Sequence, residues 1–167
     1  MTVTEELIEK AKRIKFLLMD CDGVLTDGKL YYSNKGEELK AFHVHDGQGI
    51  VNWHKAGYKS GIITGRKSEI LSKRAAELGI EYLYQSSADK LKDLKKILEQ
   101  ENLSTEEIVY IGDDISDLNL LREVGLSVGV ADCVSEVKNI VSVLTSKNGG
   151  SGAVREVIDF VLKIKSK

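Results

Sequence analysis

The sequence predicts a three-layer α/β fold, a parallel sheet covered by helices on both faces, and three observations predict it. Short apolar runs without polar alternation mark strands buried on both sides. These runs alternate with amphipathic helical segments, which implies parallel strands joined by right-handed crossovers. Reactive side chains stand just after several of the runs, where open parallel sheets place their ligands.

The elements follow in order. Residues 4–12 read as a short amphipathic helix. IKFLLM, 14–19, is the first buried strand. KLYYSNKGEELKAFHV, 29–44, holds two β-rich segments around Ser33, Asn34, Lys35 and Gly36, which predicts a hairpin with Gly36 at positive φ. A helix over 47–56 puts Ile50, Trp53 and His54 on one face. YKSGIIT, 58–64, is the second buried strand, and the helix 67–79 ends at Gly79. EYLY, 81–84, is the third strand. The helix 88–102 carries Leu91, Leu94, Ile97 and Leu98 on one stripe. Ser104 to Glu107 fits a capping box ahead of the fourth strand, IVYIGDD, 108–114. A helix over 116–124, the strand LSVGV and a helix over 151–164 complete the chain.

Composition sets the outer limits. The 167 residues suffice for one domain, expected to span 1–167 with the hairpin at 29–44 as a flap. A net charge of −2 offers no electrostatic footprint for nucleic acid or anionic membrane, so neither partner is expected. No run of about 18 apolar residues predicts a transmembrane helix. The charged helical start argues against a signal peptide, and a cytoplasmic location is expected. Cys21 and Cys133 make neither a disulfide framework nor a zinc site.

Chemistry gathers at the strand ends. The first strand offers Asp20 and Asp22; the second offers Thr64, Gly65 and Arg66; Lys90 opens the helix after the third; the fourth offers Asp113, Asp114 and, one turn on, Asp117. Converging carboxylates repel and raise one another's pKa, and a hard divalent cation relieves this. Oxygen ligands select magnesium or calcium over zinc. An EF-hand is excluded: its sixth position would be Leu25 counted from Asp20 and Leu118 counted from Asp113, where glycine is required. A threonine hydroxyl and a lysine ammonium suit phosphate oxygens. Asp20, last on its strand, could attack phosphorus, and Asp22 could serve the leaving group and then the hydrolytic water. Asp27 suits the turn into the hairpin better than the chemistry. The Cys21 thiol packs between charges that disfavour a thiolate.

DCDGVLTDG at 20–28, ITGR at 63–66, Lys90 and GDDISD at 112–117 resemble, in order, the four motifs of the haloacid dehalogenase superfamily of phosphatases. The resemblance covers nearly the whole chain. It is closest to the 3-deoxy-D-manno-octulosonate 8-phosphate (KDO 8-phosphate) phosphatase family, to which GEELKAF at 36–42, DGQGI at 46–50, LYQ at 83–85 and GGSGAVRE at 149–156 are also similar. The resemblance implies a Rossmann-like sheet with a hairpin insertion and no large cap domain. It implies Mg²⁺ as cofactor, with Asp20 as nucleophile and metal ligand, and Asp22 as acid/base that ligates through its backbone carbonyl. Asp113 would complete the protein ligands, with Asp114 and Asp117 behind them. Thr64 and Lys90 would hold the phosphoryl group. His43, Val44, His45, Asp46 and Gly47, with Asp22, Arg66 and Arg74, would face a small sugar-acid phosphate. Enzymes of the resembled family are tetramers in which neighbours cover one another's sites, so a homotetramer is expected.

Two positions depart from that pattern. His45 stands where arginine is usual, and Val51 where a basic residue is usual. Both bear on the sugar and leave the catalytic reading intact. A nine-carbon sialic-acid-type phosphatase is the near alternative; it tends to carry an acidic residue where this chain has Arg66. A phosphoaccepting signalling domain also places Asp, Thr and Lys at strand ends, but lacks a second aspartate cluster after the lysine. A capless phosphatase for protein or nucleic-acid ends would need an open, basic cleft.

Overall fold

A computed structural model describes residues 4–166. Six parallel strands form one sheet in the order β5-β4-β1-β6-β7-β8: β1 (Phe16–Met19), β4 (Lys59–Ile63), β5 (Tyr82–Tyr84), β6 (Ile108–Gly112), β7 (Leu126–Gly129) and β8 (Val143–Leu144). Between β1 and β4 stand a separate antiparallel hairpin, β2 (Tyr31–Ser33) and β3 (Gly36–Leu39), and helix α2 (Val44–Lys55). The other helices are α1 (Glu5–Arg13), α3 (Glu69–Leu78), α4 (Lys90–Glu101), α5 (Leu118–Glu123), α6 (Ser135–Lys138) and α7 (Ala153–Lys165). Every residue of β1, β6 and β7 is buried, so helices cover both faces of the sheet. Helix α7 packs on α1 and α2, and α4 packs on α5.

Local chemistry explains the boundaries. Thr4 caps α1 by accepting from the Leu7 amide at 3.2 Å, and Asp89 caps α4 by accepting from Leu91 and Lys92 at 3.0 and 3.2 Å. Gly79 ends α3 at φ +69°, a left-handed conformation that suits glycine. The capping box at Ser104 closes a 3-10 turn, with the Ser104 amide donating to Glu107 at 2.9 Å. Leu94 and Ile97 are buried on α4 and Leu91 and Leu98 half-buried, and each buried one stabilises the fold by about 1.5–3 kcal/mol. Trp53 is fully buried, and its indole N–H donates to the Lys59 carbonyl at 2.8 Å.

Some expectations are corrected. The sheet has a sixth strand, β8, whose two residues are too short for a periodic pattern. The four-residue α6 was unmarked for the same reason. The segment 116–124 begins as a 3-10 turn, Ile115–Asp117, before α5. The hairpin strands cover 31–39 rather than the whole of 29–44, and α2 begins at Val44 because the His43 side chain caps it, accepting from the His45 amide at 3.2 Å.

Candidate active site

Strand β1 sits at the centre of the sheet, between β4 and β6. The chain builds β4 and β5 on one side of it, then crosses to β6 on the other. The crevice beyond β1 and β6 is therefore the topological switch point, and Asp20 and Asp113 follow those two strands. The Asp20 amide donates to the Ile111 carbonyl at 3.0 Å, which ties the end of β1 to β6. The chain then turns sharply. Gly23 has φ +90°, and a Cβ there would lie 2.0 Å from Asp113 Oδ2, so only glycine admits this carboxylate. Thr26, buried, accepts from the amides of Gly23 and Gly28 at 3.4 and 3.2 Å and holds the turn closed. Asp27 accepts from the Lys29 amide at 3.1 Å, a turn contact outside the carboxylate cluster.

Oxygens of Asp20, Asp113 and Asp117 lie within 4.8 Å of one another. The Lys90 ammonium, buried, stands 3.1 Å from Asp20 Oδ2 and 2.6 Å from Asp117 Oδ1. Asp117 is fully buried and spoken for. Its Oδ1 accepts from Lys90 and from the Tyr110 hydroxyl at 2.5 Å; its Oδ2 accepts from the amides of Asp113 and Asp114 at 2.9 and 3.2 Å. It organises the loop and aims Lys90. Asp114 accepts from the Ile115 amide at 2.7 Å and caps the 3-10 turn. Asp113 differs: its Oδ1 is buried without a hydrogen-bond partner. A buried, unsatisfied carboxylate oxygen beside a second carboxylate is a cation site by its chemistry.

Burial chiefly pushes Asp20 up to about 6, against the opposing Lys90 charge and with the help of Asp117. Burial, then the Asp117 and Asp20 charges, push Asp113 up to about 8. Lys90 stays firmly cationic: burial opposes its charge, but Asp20 and Asp117 outweigh burial. Burial, then the Asp22 charge, push the Cys21 thiol up, so it is no nucleophile. The Cys21 amide instead donates to Asp20 Oδ1 at 2.7 Å. Thr64 ends β4 beside β1, buried, its carbonyl accepting from Ser87 at 3.0 Å. The Asp22 side chain leaves the cluster. Its Oδ1 takes the Lys40 ammonium, and its Oδ2 lies 3.4 Å from Arg66 Nε. Two aspartates two positions apart thus serve two different surroundings.

The chain is similar to known proteins throughout. It is 43% identical to the 3-deoxy-D-manno-octulosonate 8-phosphate phosphatase of Escherichia coli K12 over 99% of this chain and 88% of that one. The chain belongs to this phosphatase family. Residues 80–158 also match the haloacid dehalogenase-like hydrolase family. The crystal structure of the Yersinia pestis phosphatase superposes with a TM-score of 0.96 at 42% identity, covering 99% of this chain and 89% of that one. A Moraxella catarrhalis phosphatase structure, solved with magnesium, phosphate and KDO, superposes with a TM-score of 0.95 at 39% identity, covering 98% of this chain and 94% of that one.

The residues expected to face the sugar in this phosphatase family are spread more widely. Arg66 stands beside Asp22, with its Nη2 donating to the Tyr32 hydroxyl at 2.5 Å. Arg74 lies over the Phe42 ring at 5.8 Å and packs on Gly47, where a Cβ would meet its Nη2 at 2.3 Å. The Nε atoms of Arg66 and Arg74 are buried without hydrogen-bond partners. Val44 and His45 are exposed in the first turn of α2, and the His43 and His45 rings meet edge to face at 4.9 Å. Asp46 is engaged elsewhere. Its carboxylate is buried and accepts from the amides of Gly152 and Arg155 at 3.2 and 2.8 Å, where it caps α7. Val51 is half-buried in α2.

Reading residues at strand ends missed three hairpin residues. Tyr32 binds Arg66, Glu37 stands 3.7 Å from the Arg66 guanidinium, and Lys40 holds Asp22. The GEELKAF segment was the available clue, since its charges sit in an otherwise β-type hairpin. Tyr110 was also missed, because a tyrosine inside an apolar strand reads as core.

The raised carboxylates set a pH dependence. Their folded pKa values lie above the unfolded value of 3.8, so the stability they contribute is complete below 3.8 and is lost as pH rises through about 6 and about 8. A divalent cation binds the ionised forms. The extra stability conferred by added Mg²⁺ therefore grows with pH across that window. Urea unfolding with EDTA and with excess Mg²⁺, from about pH 4 to about pH 9, checks this. A gap between the two curves that does not vary with pH contradicts it.

Proposed function

We propose that this protein is a Mg²⁺-dependent phosphatase that releases phosphate from KDO 8-phosphate through an aspartyl-phosphate on Asp20. The observation that carries the reading is the division of labour at the end of β1: Asp20 faces Lys90 and Asp113, whereas Asp22 faces the hairpin. The unpartnered Asp113 oxygen and the two protonation-prone carboxylates fit a hard cation. Asp20, the Asp22 carbonyl and Asp113 would hold Mg²⁺, which when bound neutralises phosphoryl and carboxylate charge.

Asp20 attacks phosphorus, and the bond from phosphorus to the sugar oxygen breaks. Asp22 gives that oxygen its proton. Thr64 and Lys90 hold the phosphoryl oxygens as charge redistributes. Asp22 then takes a proton from water, which attacks phosphorus and frees Asp20 and phosphate. The guanidinium groups of Arg66 and Arg74 suit the sugar-acid carboxylate. Arg66 in the position after Thr64 and Gly65 favours the eight-carbon acid over a nine-carbon one. Phosphate release measured across eight- and nine-carbon sugar-acid phosphates tests this. Mg²⁺-dependent turnover fastest on KDO 8-phosphate is expected; a strong preference for the nine-carbon acid overturns the substrate assignment.

The chain works as a single domain, in the cytoplasm, as a homotetramer. No helix among the described residues is long and apolar enough to cross a membrane. Leu30, Tyr31, Tyr32 and Leu39 are each exposed on or beside the hairpin, and exposed apolar side chains suit burial against copies of the chain. Leu39, 64% exposed, makes a clean test. Leu39→Asp should convert a tetramer to smaller species in sedimentation velocity, without unfolding. An unchanged tetramer excludes the hairpin as the interface.

A further inference from the structure

We infer that Lys40 is the positioning residue for Asp22, so that the hairpin is part of the catalytic apparatus. The inference rests on Asp22 being the acid/base, as proposed above. Three observations carry it. The Lys40 side chain is only 2% exposed, although it directly follows the exposed Leu39. A buried ammonium persists only where it is paired, and its partners are Asp22 Oδ1 and, at 3.3 Å, Glu37 Oε1. Arg66 lies on the other side, 3.4 Å from Asp22 Oδ2 and 3.7 Å from Glu37 Oε1. Two carboxylates thus face two cations, and the cluster needs no further counter-ion.

The arrangement distinguishes the two oxygens of Asp22. Oδ1 is committed to Lys40. Oδ2 has only a charge contact, because Arg66 Nε makes no hydrogen bond. Oδ2 is therefore the oxygen left to serve the leaving group. When Asp20 attacks, the bond from phosphorus to the leaving oxygen breaks, and Asp22, held by Lys40 at Oδ1, delivers a proton to that oxygen through Oδ2. Lys40 keeps its own proton and its place on Oδ1. Glu37 gives Lys40 a second charge contact, and Gly36, at φ +118°, makes the turn into β3.

A series of substituted phenyl phosphates tests this, because poor leaving groups need a proton and good ones do not. kcat/KM reports the steps up to leaving-group departure and is blind to aspartyl-phosphate hydrolysis. In Lys40→Met, kcat/KM should fall roughly 10- to 100-fold for the poorest leaving groups and under about threefold for p-nitrophenyl phosphate, a part of the roughly 10²- to 10⁴-fold that general-acid assistance supplies. Glu37→Gln, at a less buried position, should show the same steepening more weakly. A parallel loss across the series, or an unchanged slope in both variants, overturns the inference, since a lost contact or a loosened hairpin would act on every substrate alike. Failure of the underlying reading looks different: wild-type protein would then cleave none of the series, or Asp22→Asn would keep the wild-type slope.

Discussion

Replacing Asp20 with asparagine ends turnover while leaving the fold intact. The amide matches the carboxylate in shape but cannot attack phosphorus. Phosphate release should fall on the order of 10⁴-fold or more, the scale seen when a covalent nucleophile is removed. The fold tolerates the change because the surroundings of Asp20 disfavour its charge: burial and Asp117 outweigh Lys90 and push its pKa up to about 6. An uncharged group at that position eases repulsion in the metal-free protein. Urea unfolding in EDTA near neutral pH should therefore give Asp20→Asn a midpoint no lower than wild type. Phosphate release at a wild-type rate, or a sharply destabilised variant, contradicts this division between chemistry and structure.

Lys90→Met has the opposite profile, with large effects on both. Lys90 is the one cation within hydrogen-bond reach of Asp20 and Asp117 among the described residues. Its removal leaves two buried carboxylates facing each other. Breaking a buried pair in this way costs about 3–5 kcal/mol. Activity should fall by roughly 10²- to 10³-fold, the loss typical of one charge-stabilising donor. Mg²⁺ neutralises part of the same charge, so excess Mg²⁺ should recover more stability in the variant than in wild type. Equal stability of the two proteins in EDTA would show that Tyr110 and the two loop amides suffice to hold Asp117.

Much of this molecule is legible in its sequence, for physical reasons that differ by element. FLLM and IVYIG, within the two runs, are readable because a strand covered on both faces carries no polar alternation. Helix α4 is readable because one face packs and the other is solvated. The strand-end residues Asp20, Asp113 and Lys90 stand out because parallel sheets bring strand ends to one edge, so distance along the chain does not matter. The partners of Asp46 are not legible in the sequence, for the converse reason. Its partners are 106 and 109 positions away, and no local pattern distinguishes a carboxylate that caps a remote helix from one that faces a ligand. Lys40 and Glu37 escaped because charges in a short hairpin ordinarily face water. Only the return of the hairpin over Asp22 buries them. Strand β8 escaped because two residues at a sheet edge carry no period.

The central claim is that Asp20 carries the phosphoryl group. Acid-quenched samples taken during turnover with Mg²⁺ and KDO 8-phosphate, digested and read by mass spectrometry, test it directly. The expected result is one phosphoryl group on the peptide containing Asp20, on that residue, absent from Asp20→Asn. Steady turnover with Asp20 unmodified throughout, or a phosphoryl group on another side chain, would contradict it.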